Sequence, residues 1–291
     1  MREAQRLSLA FGLMSLAAVA AGAWICARHD VPASVWGRNL AAWLGGGLVA
    51  LAIARWAGAR FLAGVLVASV AGLVATFASA GQLGVHRWVG LGPLTVNVAM
   101  LLAPAALVSV AVMRQRLWPW LAALAGLGLL VLQPDASQAT AFAAALIALA
   151  LRRGEGAPRR RAFAALSAAL AAVAWLRPDP LEPVPEVEQI LQLAYAVAPT
   201  AAGFALVALL AAAAAPGVLA RNGGADAQAA GFALSVYLLL TALMPFLGAF
   251  PTPLVGVGLS PVLGWWLGLG ALAAVVRRSS CAERAAASPR A

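Results

Sequence analysis

The chain has 291 residues, of which 63% are hydrophobic and 10% charged, and it carries a formal net charge of +10. So little polar surface cannot cover a water-soluble globule of this size, which excludes a soluble enzyme or a free nucleic-acid binder. The composition is that of an integral membrane protein.

A bilayer-crossing helix needs about 20 mostly apolar residues. Such stretches centre near Ala17, Leu48, Val70, Ala106, Ala125, Ala145, Ala169, Ala205, Leu238 and Leu269. They are continuous and Ala/Leu-rich, which predicts helices and makes strands unexpected. The fold class expected is all-α and polytopic, with about ten transmembrane helices. No long polar insertion divides the chain, so residues 1–291 read as one transmembrane domain with a short loop at 177–189 and a tail at 277–291. The first stretch begins like a signal peptide but lacks a convincing cleavage site, and is kept as an anchor.

All 20 basic residues are Arg, and they alternate along the chain. Sixteen fall on one side, among them Arg2, Arg6, Arg55, Arg60, Arg114, Arg116, Arg159 to Arg161, Arg221, Arg277 and Arg278, and only Arg28, Arg38, Arg87 and Arg177 fall on the other. The positive-inside rule then puts both termini and the 277–291 tail in the cytoplasm. The Arg159–Arg161 run reads as a cytoplasmic anchor, so nucleic acid is not an expected partner. Trp24, Trp43, Trp56, Trp118, Trp120, Trp175 and Trp265 lie near predicted span ends, where an amphipathic ring favours the headgroup layer. Cys26 and Cys281 fall about a bilayer apart and cannot pair within one chain. No metal-ligand spacing is present, and no cofactor is expected, although a divalent cation is left open. Small residues between Gly64 and Gly72 recur four apart and predict close helix packing. Gly256-Val257-Gly258 is not a nucleotide loop, because neither a strand nor a following Lys accompanies it.

Three polar breaks interrupt the apolar chain. The first, HRWVGLGPLTVN, carries His86, Arg87 and Trp88 ahead of Gly90, Gly92 and Pro93. Its glycines and proline predict a tight turn, with Arg87 either gripping an anion or anchoring in lipid phosphates. The second, QPD, puts Pro134 in the first turn of the sixth span and Asp135 beside it, either as a helix cap or as a partner for Arg87 or a substrate. The third, FPTPLVGVGLSP, is too apolar for an exposed loop, and such non-helical backbone at membrane depth must be covered by protein or line a cavity.

Taken together, these breaks resemble the SEDS family, the FtsW/RodA/SpoVE-like proteins of bacterial division, elongation and sporulation. The family pattern G-x-R-R-W-x-x-L-G-P-x-x-x-Q-P-S-E is similar to GVHRWVGLGPLTVNVAM here, from Gly84 to Met100. Its Q-P-D-x-G resembles Gln133, Pro134 and Asp135 with Ala136 and Ser137, and its late L-P-F-x-S-Y-G-G-S-S resembles the stretch from Pro253 to Ser260. The resemblance implies glycosyl transfer on lipid-linked peptidoglycan precursor (lipid II), with a class B penicillin-binding protein as partner. It also implies a substrate site around Arg87, Trp88, Asp135, Gly258 and Ser260. A carboxylate would act as general base on a sugar hydroxyl while cationic groups stabilise the departing diphosphate.

The chain departs from the family pattern where the chemistry would be. The loop between spans seven and eight shrinks to 177–189. Pro185 and Glu186 match its P-E, but the position of the family's catalytic Asp falls on Ile190. Asn97, Val98, Ala99 and Met100 replace Q-P-S-E, Ala103 replaces a Lys and Val257 a Tyr. The loop keeps Asp179, Glu182, Glu186 and Glu188, and Glu186 or Glu188 is the candidate for a shifted base. The reading is a shortened, degenerate SEDS-like protein of cell division, cell shape and peptidoglycan synthesis that binds precursor or a division partner. An active divergent lipid II polymerase and a precursor flippase or transporter are the alternatives. Against the last, almost no ionisable residue lies deep within a span.

Overall fold

A computed structural model describes residues 2–92, 94–152 and 158–287. Pro93, much of the linker after Arg152 and the end of the predicted tail lie outside these residues. The helices are α1 (Arg2–Arg28), α2 (Ala33–Trp56), α3 (Ala59–Thr76), α4 (Val98–Val112), α5 (Trp118–Leu132), α6 (Ala136–Ala150), α7 (Pro158–Trp175), the short α8 (Pro185–Glu188), α9 (Ile190–Val197), α10 (Pro199–Ala220), α11 (Ala225–Leu243) and α12 (Leu259–Ala287). Each of the ten predicted centres falls inside one of them.

Among the described residues, six stretches are long and apolar enough to cross a membrane: Ala4–Arg28, Ala33–Trp56, Ala59–Thr76, Pro199–Ala220, Ala225–Phe246 and Leu259–Ser279. Helices α4, α5 and α6 are equally apolar but have 15 residues each. At 1.5 Å per residue such a helix rises about 22 Å, less than the hydrocarbon thickness of about 30 Å. The eighth predicted span is α10, and the short α9 before it ends at Val197, ahead of Pro199, whose ring has no N–H to continue the ladder.

Helix α12 is the axis of the bundle, with 83% of its apolar window buried. It packs most extensively on α2 and α4. A Cβ on Gly264 would sit 1.9 Å from the Met100 carbonyl oxygen, and one on Gly270 would sit 2.8 Å from the Ala50 Cα. These helices meet backbone to backbone, which only glycine permits. The small-residue stretch in α3 is used at one end. A Cβ on Gly72 would come within 2.9 Å of Val98, whereas nothing lies within 4 Å of Gly64.

Two expectations are corrected. Strands do occur: β1 (Trp88–Leu91) pairs antiparallel with β2 (Leu94–Asn97), Trp88 opposite Asn97, so the first break is a hairpin turning through Gly92 at φ +62. Loop backbone outside a helix needs its own hydrogen bonds, and a hairpin supplies them. Three tryptophans assigned to the headgroup layer also pack inward, two of them buried and Trp43 half-buried. Trp120 and Trp265 are buried, and Trp43 donates to Ser15 Oγ at 2.9 Å while meeting Trp266 edge-on. Trp24, Trp56 and Trp175 are exposed, as an interfacial ring would be.

Contacts between connections sort them onto two ends of the bundle. At one end Arg114 donates to Asp226 Oδ1 at 2.5 Å, Arg160 to Gln115 Oε1 at 2.9 Å, and Arg277 and Arg278 to the carbonyls of Ala54 and Ala57. At the other end the three polar breaks and the 177–189 loop come together. The arginine-rich connections thus share one end and the motif-bearing ones the other.

Candidate functional site

The motif end encloses a cavity of about 430 Å³. Its wall is assembled from four connections, and Arg87 is the residue that joins three of them. Arg87 leaves the hairpin and is buried. Its Nε donates to the Gln133 carbonyl at 3.3 Å and lies 3.7 Å from Asp135 Oδ2. Its Nη2 donates to the Pro134 carbonyl and, at 2.7 Å, to Asp179 Oδ2 in the 177–189 loop. A buried guanidinium is tolerated only when paired and hydrogen-bonded, and this one is both. Gln133 extends the tie to α3 by donating from Nε2 to Thr76 Oγ1 at 2.6 Å.

Asp135 fills both roles open to it. It is the N-cap of α6, its Oδ1 accepting from the Gln138 N–H at 3.1 Å and from Ser137 Oγ at 3.0 Å, and its other oxygen faces Arg87. A cap satisfies an orphan amide of the first turn and leaves a second carboxylate oxygen for another partner. Pro134 precedes this cap, not within the first turn of the helix as the sequence suggested.

The third break is non-helical, buried from Thr252 to Gly256, and held by backbone bonds to its neighbours, although the buried Thr252 hydroxyl has no hydrogen-bond partner among the described residues. Thr252 N–H donates to the Val187 carbonyl at 3.0 Å and Val257 N–H to the Glu186 carbonyl at 2.9 Å, which fixes α8 against it. Asn39, in the first turns of α2, donates from Nδ2 to the Gly256 carbonyl at 2.8 Å and accepts from the Gly258 N–H at 2.9 Å. Gly256 has no room for a side chain, since a Cβ there would lie 2.4 Å from the Val187 oxygen. Ser260 accepts the Asn97 N–H at 2.9 Å, and Asn97 in turn caps α4 by accepting from Met100 N–H at 3.0 Å. Trp88, half-buried, completes the wall on the hairpin side.

Of the residues singled out from sequence, Arg87, Trp88, Asp135, Gly258, Ser260 and Glu188 all line this cavity, and Glu186 does not. Glu186 contributes its backbone carbonyl to the loop contact instead. Glu188 is half-buried, with Oε2 accepting the Val184 N–H at 2.7 Å. Burial pushes its carboxyl up from the ordinary glutamate range, against the lowering effect of that hydrogen bond. Ile190 is fully buried in the apolar core and off the cavity wall, whereas Met100 and Val257 lie on it. Two of the positions where the family pattern is polar therefore face the cavity as apolar side chains.

Sequence reasoning missed three residues here. Asn39 is the clamp described above, and a lone Asn within an apolar stretch was its signal. Asp179 is the ionic partner of Arg87, one of four loop carboxylates that spacing could not rank. Arg38 is an exposed cation on the cavity wall with no partner among the described residues.

No family model and no curated protein matches the sequence. Solved structures do match the fold. The Thermus thermophilus rod shape determining protein RodA superposes with a TM-score of 0.68 at 20% identity, covering 92% of this chain and 96% of that one. A mutant of the same protein gives 0.71 at 19% identity, covering 92% and 97%. A chain from a structure described as the structural coordination of polymerization and crosslinking by a peptidoglycan synthase complex gives 0.63 at 19% identity, again covering 92% and 97%. The chain has the RodA fold. That fold is a multi-pass helical membrane architecture, and it spans nearly the whole length of both partners in each comparison.

Proposed function

We propose that this protein is a SEDS-like component of bacterial cell-wall synthesis that binds a lipid-linked peptidoglycan precursor at the cavity beside Arg87. The supporting observation is the convergence of the three motif breaks, through Arg87, Asp135 and Ser260, on one cavity. In this reading the chain crosses the cytoplasmic membrane ten times with both termini inside, as its arginines suggest, and the cavity opens on the outer side, where precursor is polymerised. A class B penicillin-binding protein is the partner consistent with the fold. The apolar Ile190, Met100 and Val257 favour binding without turnover.

A second reading, an active divergent polymerase, is favoured by Glu188. Its carboxylate is on the wall, and a group there can take the proton of a sugar hydroxyl as that oxygen attacks the anomeric carbon and the lipid diphosphate leaves. The purified protein, alone and with a class B penicillin-binding protein, is to be incubated with labelled lipid II. Retention of lipid II without glycan chains supports the binding reading. Chains made by the unaltered protein and lost in Glu188→Gln support the polymerase. Failure to retain lipid II in either setting would remove the proposal.

A further inference from the structure

Residues 178–183 cross the cavity as an exposed strap whose hydrogen bonding to the rest of the protein is a single contact. Among the described residues, the Arg177 N–H still belongs to the end of α7 and the Val184 N–H donates to Glu188. Between them the strap bonds only within itself, Leu181 N–H to Asp179 Oδ1 at 3.2 Å, and outward through Asp179 to Arg87. Pro178, Pro180 and Pro183 restrict its backbone and stiffen it between its two ends. Helix α8, by contrast, is fastened by the bonds to Thr252 and Val257.

The tie occupies the part of Arg87 that an anionic ligand would use. Nε and Nη2 form one edge of the guanidinium and both are engaged, and Nη2 is spent twice. Only Nη1 makes no bond among the described residues, so a second anion cannot be held through two parallel bonds while Asp179 stays. The electrostatics agree. With the strap in place the wall carries Asp135, Asp179, Glu182 and Glu188 against Arg38 and Arg87, four formal negatives to two positives. Lifting the strap removes Asp179 and Glu182 and leaves two of each. A diphosphate meets a net-negative, repelling wall in the first state and a balanced one in the second.

We propose that Asp179 is a built-in competitor for Arg87, and that an incoming phosphate or diphosphate group takes its place and releases the 178–183 strap. This rests on the precursor-binding reading above. The carboxylate marks where the ligand's oxygen goes, 2.7 Å from Nη2. No bond is made or broken in the exchange beyond the ion pair itself.

The test uses the full chain in detergent with three probes: farnesyl diphosphate, phosphatidylglycerol and inorganic pyrophosphate. Affinity is measured by calorimetry for the unaltered protein and Asp179→Asn. Strap motion is read from a spin label on Glu182→Cys in a Cys281→Ser background. Asp179→Asn should bind farnesyl diphosphate about ten-fold more tightly, equivalent to about 1.4 kcal/mol. The label on the chain with Asp179 intact should become mobile when that ligand is added, an outcome that does not depend on the folding of the Asn variant. Unchanged or weaker binding by Asp179→Asn, or a label that stays immobile in the occupied protein, overturns the strap while leaving precursor binding standing. Release by phosphatidylglycerol alone sustains the strap and overturns the precursor reading. Binding of none of the three probes to either protein overturns both.

Discussion

Asn39 holds Gly256 across the bundle, its Nδ2 donating to the glycine carbonyl at 2.8 Å while its Oδ1 accepts the Gly258 N–H at 2.9 Å. One amide side chain therefore satisfies both a donor and an acceptor of a non-helical segment on the cavity wall. Asn39→Ala leaves both backbone groups unpaired, at about 1–3 kcal/mol each. The expected outcome is a lower unfolding temperature in detergent and loss of ligand binding. Asn39→Asp keeps the acceptor for Gly258 but sets a buried, unpaired carboxylate against the Gly256 carbonyl oxygen, so it should be no more stable than the Ala variant. Wild-type stability in the Ala variant would show that the third break is held by other contacts.

Gly256 is fixed by space as much as by bonding. A Cβ there meets the Val187 oxygen at 2.4 Å and the Thr252 oxygen at 2.8 Å, both backbone atoms that cannot rotate away. Gly256→Ala must push α8 off the third break, at a cost of about 1–3 kcal/mol typical of overpacking. Because α8 carries Glu188 into the cavity wall, ligand affinity should fall together with unfolding temperature. Gly258→Ala is the control, its nearest neighbour being Pro261 Cδ at 3.6 Å, and it should alter stability far less.

Arg87 and Asp179 should behave unequally although they form one ion pair. Removing the guanidinium in Arg87→Gln leaves the buried Asp135 charge, still capped at Oδ1, without its counter-ion and takes the donor from two carbonyls, and breaking a buried pair this way costs about 3–5 kcal/mol. Removing the carboxylate in Asp179→Asn leaves Arg87 with Asp135, Gln133 and Pro134, and Asp179 is itself a quarter exposed. Its loss should cost no more than about 1 kcal/mol, the range of solvent-accessible pairs. Thermal unfolding of the two variants side by side measures the difference. Equal losses would mean that the strap supports the fold.

The bundle was legible in the sequence because membrane helices announce themselves by length and apolarity, and all ten centres lie in helices. The lengths of α4 to α6 were not legible. Apolarity continues beyond the helix ends into turns that are buried in protein, and hydropathy does not separate the two. The three breaks marked the site because Arg87, Asp135 and Ser260 are polar residues in places where burial would forbid them without partners. The partners themselves were hidden. Which of Asp179, Glu182, Glu186 and Glu188 meets Arg87 depends on how the proline-rich loop crosses the cavity, and that geometry is set by the α7 and α8 ends it connects. Trp43, Trp120 and Trp265 misled for a related reason: a ring near a span end packs inward when a neighbouring helix leaves room, as around Trp266.

Glu188 gives the site a pH dependence with a definite sign. Burial raises its carboxyl above the ordinary value of 4.5, and the nearby Asp179 and Glu186 carboxylates act in the same direction, while the Val184 N–H and its own backbone N–H oppose them. The folded protein therefore holds this proton to higher pH than the unfolded chain does. The resulting stabilisation is fully present below the unfolded value and is lost as pH rises through the folded one. The unfolding temperature of the unaltered protein should fall as pH is raised upward from 4.5, and Glu188→Gln, neutral throughout, should flatten that slope. If the polymerase reading holds, the same group must be ionised to accept a proton. The acid limb of glycan-chain synthesis should then lie above the usual carboxylate range and activity should vanish in Glu188→Gln. A slope unchanged by the substitution would mean that Glu188 is solvated in the working protein and lies outside the chemistry.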